Sequence, residues 1–411
     1  MKASIRRSAF LVALVAAAQA ASCSKPPEKP VTDPVPALAI GAAPALDALV
    51  DVYVGGESHV PVYRIPALAV STRGTLLAFA EGRPTMRDNG QNEIVLKRST
   101  DGGRTWGAAK TLYVENGISP NNPCATVVAT GPRAGRIILM FQRYPLGIGE
   151  GDVGEGLFGA RSCRSAEIHS DDDGVTWSAP RDLTEQVKRP KGVTSIASGP
   201  GVGIQLRQGR NAGRLVVPFN QGPRGAWRVY AALSDDGGDT WRMGDLAPDG
   251  GKGRANEVQL VETTGGELLM VARQENGGGA RKVTRSTDGG EHWSKLVDDP
   301  SLPCPSCMGG IAAITPERLV FTGPNSRRER KDGTAWFSFD GGRTWPTAQA
   351  IYGGVFAYSQ PALLPDGSVG VLFERDGYRR ITLARLAAPT APAPTSAPTA
   401  PPAGTSPQTG R

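Results

Sequence analysis

Six short apolar runs recur along the chain: Leu76-Leu-Ala-Phe79, Ile137-Ile-Leu-Met-Phe141, Leu215-Val-Val-Pro-Phe219, Leu268-Leu-Met-Val-Ala272, Leu319-Val-Phe321 and Val369-Gly-Val-Leu-Phe373. Their starts are separated by 61, 78, 53, 51 and 50 residues, and each comes after a turn-forming stretch. Runs of this length between turns predict buried strands, and nowhere does an i, i+3, i+4 pattern persist long enough for a helix. A polar repeat is interleaved with them: Ser99-Thr-Asp-Gly-Gly-Arg-Thr-Trp106, Ser170-Asp-Asp-Asp-Gly-Val-Thr-Trp177, Ser234-Asp-Asp-Gly-Gly-Asp-Thr-Trp241, Ser286-Thr-Asp-Gly-Gly-Glu-His-Trp293 and Ser338-Phe-Asp-Gly-Gly-Arg-Thr-Trp345. All five read S-x-D-x-G-x-T/H-W. Asp and Gly suit a tight hairpin turn, Gly by adopting positive φ and Asp by bonding nearby amides, while the Trp packs on the sheet. Internal periods near fifty residues with several strands each predict a radial array, an all-β, six-bladed β-propeller over residues 46–388. The Gly-rich segment Gly149–Ala166 widens one spacing and reads as a surface loop, with shaping of the leaving-group side as its other use.

Composition agrees with many turns and no helical bundle: 53 Gly and 34 Pro in 411 residues, with 39% hydrophobic residues. The formal charge of +7 falls to +4 without residues 1–22, which hold Lys2, Arg6 and Arg7 and no acid. A mildly basic body favours anionic ligands, but no basic helix or interleaved aromatic run points to nucleic acid. Lys2, Arg6 and Arg7 precede the apolar run Ala9–Ala16 and then small residues, the layout of a signal peptide over 1–22. Cleavage after Ala20 would release a periplasmic or secreted protein. Ala20-Ala-Ser-Cys23 also resembles a lipobox, which would place a lipid anchor on Cys23 and the protein at the outer membrane or cell surface. Residues 23–45, rich in Pro and Ala, read as a tether, and residues 389–411, mostly Ala, Pro, Thr and Ser, as a disordered tail. With only His59, His169 and His292 and a single CxxC, no zinc site is expected; Cys304-Pro-Ser-Cys307 forms a small disulfide or stays as thiols.

The five boxes are similar to the Asp-box of sialidases, and Tyr63-Arg64-Ile65-Pro66-Ala67-Leu68 resembles the FRIP signature near the start of that family, with Tyr in place of Phe. The resemblance covers roughly residues 50–388 and points to bacterial exo-sialidases. It implies that Arg64, Arg273 and Arg330 clamp a sugar carboxylate, with Arg327 and Arg328 as near alternatives to Arg330. Planar, always-charged guanidinium groups suit that task through paired charge-assisted hydrogen bonds. It further implies Tyr358 as nucleophile, Glu257 as the base that takes its proton, and Asp88 as the acid/base on a mobile loop. Glu374 matches the glutamate that orients the first arginine, and Arg83 the arginine near the sugar O4. Asn122 stands where some relatives carry Asp facing the N-acyl pocket. A phenol has an unperturbed pKa near ~10 and needs a base at neutral pH.

The resemblance thus implies a retaining exo-α-sialidase that acts on sialylated oligosaccharides, glycoproteins or glycolipids, with no metal or organic cofactor. A trans-sialidase would use the same residues. A non-catalytic Asp-box propeller that binds glycan or protein would need the boxes alone.

Overall fold

The computed structural model describes residues 40–42 and 48–391. The leader, Cys23, most of the tether and the tail beyond residue 391 lie outside the described residues. Each of the six apolar runs begins a strand where the pattern places it: Leu76–Arg83, Ile137–Pro145, Leu215–Gln221, Leu268–Glu275, Leu319–Pro324 and Val369–Arg375. They are apolar on both faces because each is sandwiched. Leu76, Ala78 and Ala80 enter one cluster with Leu372 and Leu383, whereas Leu77 and Phe79 enter another with Ile137 and Leu139.

Among the described residues the strands form five hydrogen-bonded sheets where six separate blades are expected from the spacing. Two sheets have four strands, two have five, and the last has eight. The physical reason is one long strand, Thr347–Leu363, whose first part pairs with Lys331–Ser338 and whose second part pairs with Val369–Arg375. No turn interrupts it, so two four-stranded halves remain one sheet. Those halves pack face to face over Val320, Phe337, Val371 and Phe373. The third apolar sheet has a broken first strand: Ile196–Ser198 and Ile204–Gln205 both pair with Leu215–Gln221, while Gly201–Val202 between them pairs with the preceding sheet.

The chain closes on itself. Val50–Val54 pairs antiparallel with Arg380–Leu386, and the Tyr53 hydroxyl donates to Ala78 O of the first sheet at 2.7 Å. The boxes hold the turns as their residue types require. Ser99 Oγ donates to Asp101 Oδ1 (2.7 Å), Thr105 Oγ1 to Asp101 Oδ2 (2.6 Å), and Gly103 N to Ser99 Oγ (2.8 Å), a pattern repeated in the other copies except that His292 Nδ1 takes the place of the Thr hydroxyl in the fourth. The second box glycine also sets how neighbouring sheets approach. A methyl group on Gly103 would overlap Leu383, and one on Gly238 would overlap Ile138, each a buried residue of the preceding sheet in the ring.

First strands lie at the centre. Their N-terminal ends meet around a cleft of about 440 Å³, and their C-terminal ends surround a more apolar hollow of about 780 Å³ on the opposite side. The tight inter-sheet contact is testable against a control with the same backbone. Gly103 and Gly131 have φ of +87° and +88°, but nothing lies within 4 Å of a methyl on Gly131. Gly103→Ala is expected to destabilise by about 1–3 kcal/mol more than Gly131→Ala, read as a lower urea midpoint at unchanged slope.

Candidate functional site

Four of the first strands carry a bulge, each at or next to a residue that the sequence nominates. Register shifts separate Arg64 from Ala67, Asn121 from Cys124, Ala255 from Val258, and Phe356 from Ser359. A bulge inserts an unpaired residue and turns side chains that would otherwise alternate. Here it aims Arg64, Asn122, Glu257 and Tyr358 into the cleft, which Asp88, Arg273 and Arg330 also line. Ile65 holds φ at +60°, a costly conformation for a β-branched side chain. That turn points its N–H at Glu374 Oε1, 2.9 Å away.

Glu374 has no exposed surface. Its carboxylate accepts from Arg64 Nε (3.1 Å) and Nη2 (3.3 Å), from Ile65 N, and from Tyr358 N (3.2 Å). Burial alone would lower the Arg64 pKa, but the adjoining Glu374 charge holds it above the ordinary arginine value. Arg64 stacks over the rings of Tyr358 and Tyr378, at 5.2 and 4.5 Å from their centroids. Arg330 covers Tyr358 from another direction (5.5 Å) and donates to Ser306 O (2.8 Å) and Tyr378 Oη (3.1 Å).

The Tyr358 hydroxyl donates to Glu257 Oε1 in a short hydrogen bond and accepts from Arg273 Nη1 at 3.0 Å. Arg273 also donates to Glu257 Oε2 (2.7 Å) and pairs with Glu275. Burial, and then the negative charge of Glu257, push the phenol well above its ordinary pKa; Arg273, Arg330 and Arg64 oppose that rise. The resting group is therefore a neutral phenol already bonded to a base.

Asp88 differs from the rest because its side chain is 77% exposed. Its Oδ1 accepts from Arg83 Nη1 at 2.6 Å. Arg83 is buried behind it and does not line the cleft; its Nε donates to Glu81 Oε2 (2.6 Å). Glu81, which sequence reasoning missed, is fully buried and accepts also from Asn122 N (2.6 Å). Burial raises its pKa, while Arg83 opposes that rise. Its signal was present: an acid inside the apolar Leu76–Arg83 strand, two residues from Arg83 and so on the same face. Glu150, Arg224 and Trp227 were also missed, and they form the far wall. Glu150 is exposed on its loop and lines the cleft beside the other acids. Its pKa is pushed up to about 7, first by desolvation and then by Glu257 and Asp88. Arg327 donates to Pro300 O and Gly279 O instead, and neither it nor Arg328 lines the cleft. Cys304 and Cys307 are buried free thiols: Cys304 Sγ accepts from Gln274 N (3.3 Å), and Cys307 packs with Ile65 and Tyr358.

Comparison with known proteins shows the family of the chain. The BNR repeat-like domain family matches residues 74–371. A sialidase of Micromonospora viridifaciens is 34% identical over 382 residues, which cover 90% of this chain and 58% of that protein. The chain belongs to the bacterial sialidase family with BNR repeats. A sialidase of Bacteroides fragilis is 29% identical, over 78% of this chain and 61% of that protein, so this family member spans about three fifths of the length of these relatives. Among solved structures, the Hadza microbial sialidase Hz136 has a TM-score of 0.72 and 27% identity, covering 82% of this chain and 68% of that one. The intramolecular trans-sialidase from Ruminococcus gnavus, in complex with oseltamivir carboxylate, shares the fold at a TM-score of 0.69 and 20% identity, covering 82% and 97% respectively.

The charges of the cleft have two measurable consequences. Glu374→Ala leaves Arg64 charged and buried without its partner, and a loss of about 3–5 kcal/mol in unfolding free energy is expected. Glu150 gains its charge as pH rises through about 7. Affinity for a carboxylate-bearing sugar analogue is therefore expected to weaken between pH 6 and 8, by a small amount that added salt reduces. Calorimetry on Glu150→Gln should show that part of the pH dependence removed.

Proposed function

We propose that the chain is an exo-α-sialidase that hydrolyses terminal sialic acid from oligosaccharides, glycoproteins or glycolipids with retention of configuration. The observation that carries this reading is the Tyr358 phenol, bonded to Glu257 and Arg273 and covered by Arg64 and Arg330. Sialic acid carries a carboxylate on its anomeric carbon, and three fixed guanidinium groups suit that anion. An anionic carboxylate nucleophile would meet like charge there, whereas a neutral phenol does not. Sialidases with a Tyr nucleophile are a known exception to the two-carboxylate scheme.

In the first displacement Tyr358 Oη bonds to the anomeric carbon while its proton passes to Glu257. The bond to the aglycone oxygen breaks, and that oxygen leaves with the proton of Asp88. In the second, Asp88 takes a proton from water, the water oxygen bonds to the anomeric carbon, and Tyr358 departs with the proton returned by Glu257. Two inversions give net retention. Within the same proposal, the face-to-face halves of the large sheet count as separate blades and complete six units around the cleft. Export through the leader, with or without an anchor at Cys23, belongs to it as well.

A sialoside assay tests it. Tyr358→Phe, Asp88→Ala and Arg64→Ala are each expected to lower turnover by about 100-fold or more, and wild-type rates in all three would reject the assignment. With lactose supplied, free sialic acid is the expected product; predominant sialyllactose would make the chain a trans-sialidase.

A further inference from the structure

Asp88 is the one nominated reactive group that burial does not hold in place, so something else must fix it. Its side chain is held through Oδ1 alone, by the bond from Arg83 and by the Arg64 guanidinium 3.9 Å away. Its backbone is held more firmly: Asp88 O accepts from Ser119 Oγ (2.9 Å) and Asn92 Nδ2 (3.0 Å). The next residue reaches across to a different loop. Asn89 Nδ2 donates to Gly147 O, and Gly147 N donates to Asn89 O, both at 2.9 Å. This reciprocal pair joins the Asp88 loop to the loop after the strand Ile137–Pro145, at the start of the widened box spacing.

That second loop is itself anchored from below. Lys188 has no exposed surface, yet among the described residues its ammonium meets no carboxylate. It donates to Gly156 O (2.6 Å), Thr194 O (2.7 Å) and Cys163 O (3.0 Å). A charge so placed is costly unless all its donors are satisfied, and here three carbonyls of two segments satisfy them. The Gly-rich insertion is thus tied at Gly156 and Cys163, while Gly147 just ahead of it holds the Asp88 loop. On the opposite side, the Arg224 side chain lies 3.4 Å from where a methyl on Gly151 would sit.

We infer that the Gly147–Gly156 segment is a brace that positions the general acid, and that Asn89 is the positioning residue through which it acts. The inference rests on the proposed role of Asp88. A plain surface loop would not need two reciprocal hydrogen bonds to the residue beside the acid. Displacing an acid by about 1 Å can cost on the order of 100-fold in a step that requires it. Acid assistance matters most when the leaving oxygen is basic, as in a sugar alcohol, and least when it is an activated phenol.

The experiment compares wild type, Asn89→Ala and Asp88→Ala on sialyllactose and on 4-nitrophenyl sialoside, with kcat and KM measured from pH 4 to 9. Asn89 is only partly buried, and unchanged thermal unfolding will show that the variant folds. For Asn89→Ala, kcat on sialyllactose is expected to fall about 10-fold or more while the aryl sialoside stays within about two-fold, with KM little changed. Asp88→Ala should show the same selectivity more strongly. Equal loss on both substrates in Asn89→Ala, or no loss on sialyllactose, overturns the brace while Asp88→Ala remains selective. If Asp88→Ala is as active as wild type on sialyllactose, the reading of Asp88 fails, and the brace fails with it.

Discussion

A carboxylate without any exposed surface, Glu374, joins the two ends of the ring at the cleft. It comes from the strand Val369–Arg375 near the C-terminus, and the groups it binds include Arg64 from the first sheet. It also accepts the N–H groups of Ile65 and Tyr358, two residues placed by bulges. Four donors on one acid satisfy a charge that would otherwise be prohibitive in the interior. The same bonds stabilise the left-handed backbone at Ile65. Ring closure, arginine orientation and the placement of Tyr358 are therefore one problem with one solution. That coupling explains why a group that touches no cleft surface belongs to the site.

The scaffold and the site use different parts of each sheet. Boxes sit at outer turns, where Ser, Asp and Thr bond one another and glycine admits a leucine or isoleucine of the preceding sheet. The site sits at the opposite extreme, on the first strands, where bulges interrupt the ladder. A regular strand would send alternate residues to alternate inter-sheet layers, as in Leu76–Ala80. A strand lining an axis must instead present side chains toward the centre at its end. One extra residue per strand achieves this without disturbing the packing further along it.

The apolar strands and boxes were legible because their signals are local: an unbroken hydrophobic run bounded by turns, and an eight-residue turn with fixed chemistry. The count of separate sheets was not, because a turn and an uninterrupted strand are hard to distinguish around Gly353-Gly354, within Thr347–Leu363. The nominated site residues came through likeness to a family, and seven of them line one cleft while Arg83 and Glu374 stand behind it. What escaped were groups whose meaning is wholly spatial. Glu150 and Arg224 lie on loops of different sheets, and Ser306 contributes only its carbonyl. No spacing rule links a loop residue to a cleft formed by strands two hundred positions away. The CxxC was legible as a motif, but its two thiols serve separate neighbours, Gln274 and the packing beneath Tyr358.

The charge balance around Tyr358 constrains how the proposed chemistry can run. Three guanidinium groups surround the phenol and favour its anion, yet burial and the adjacent Glu257 carboxylate prevail and keep the proton in place. A preformed phenolate would be stabilised by those arginines, which would then be less available to an incoming carboxylate. A neutral phenol leaves their positive charge to the substrate. Binding an anionic sugar neutralises part of that charge, so the free phenolate is even less favoured in the complex than before it. In the proposed reaction, attack by Tyr358 would be coupled to proton transfer to Glu257, with their short hydrogen bond as the path already in place. Rigidity is required on that side of the sugar, and it is supplied by buried groups. On the other side Asp88 is exposed, and its precision comes from the bond that Arg83 donates to it together with the backbone contacts of its loop.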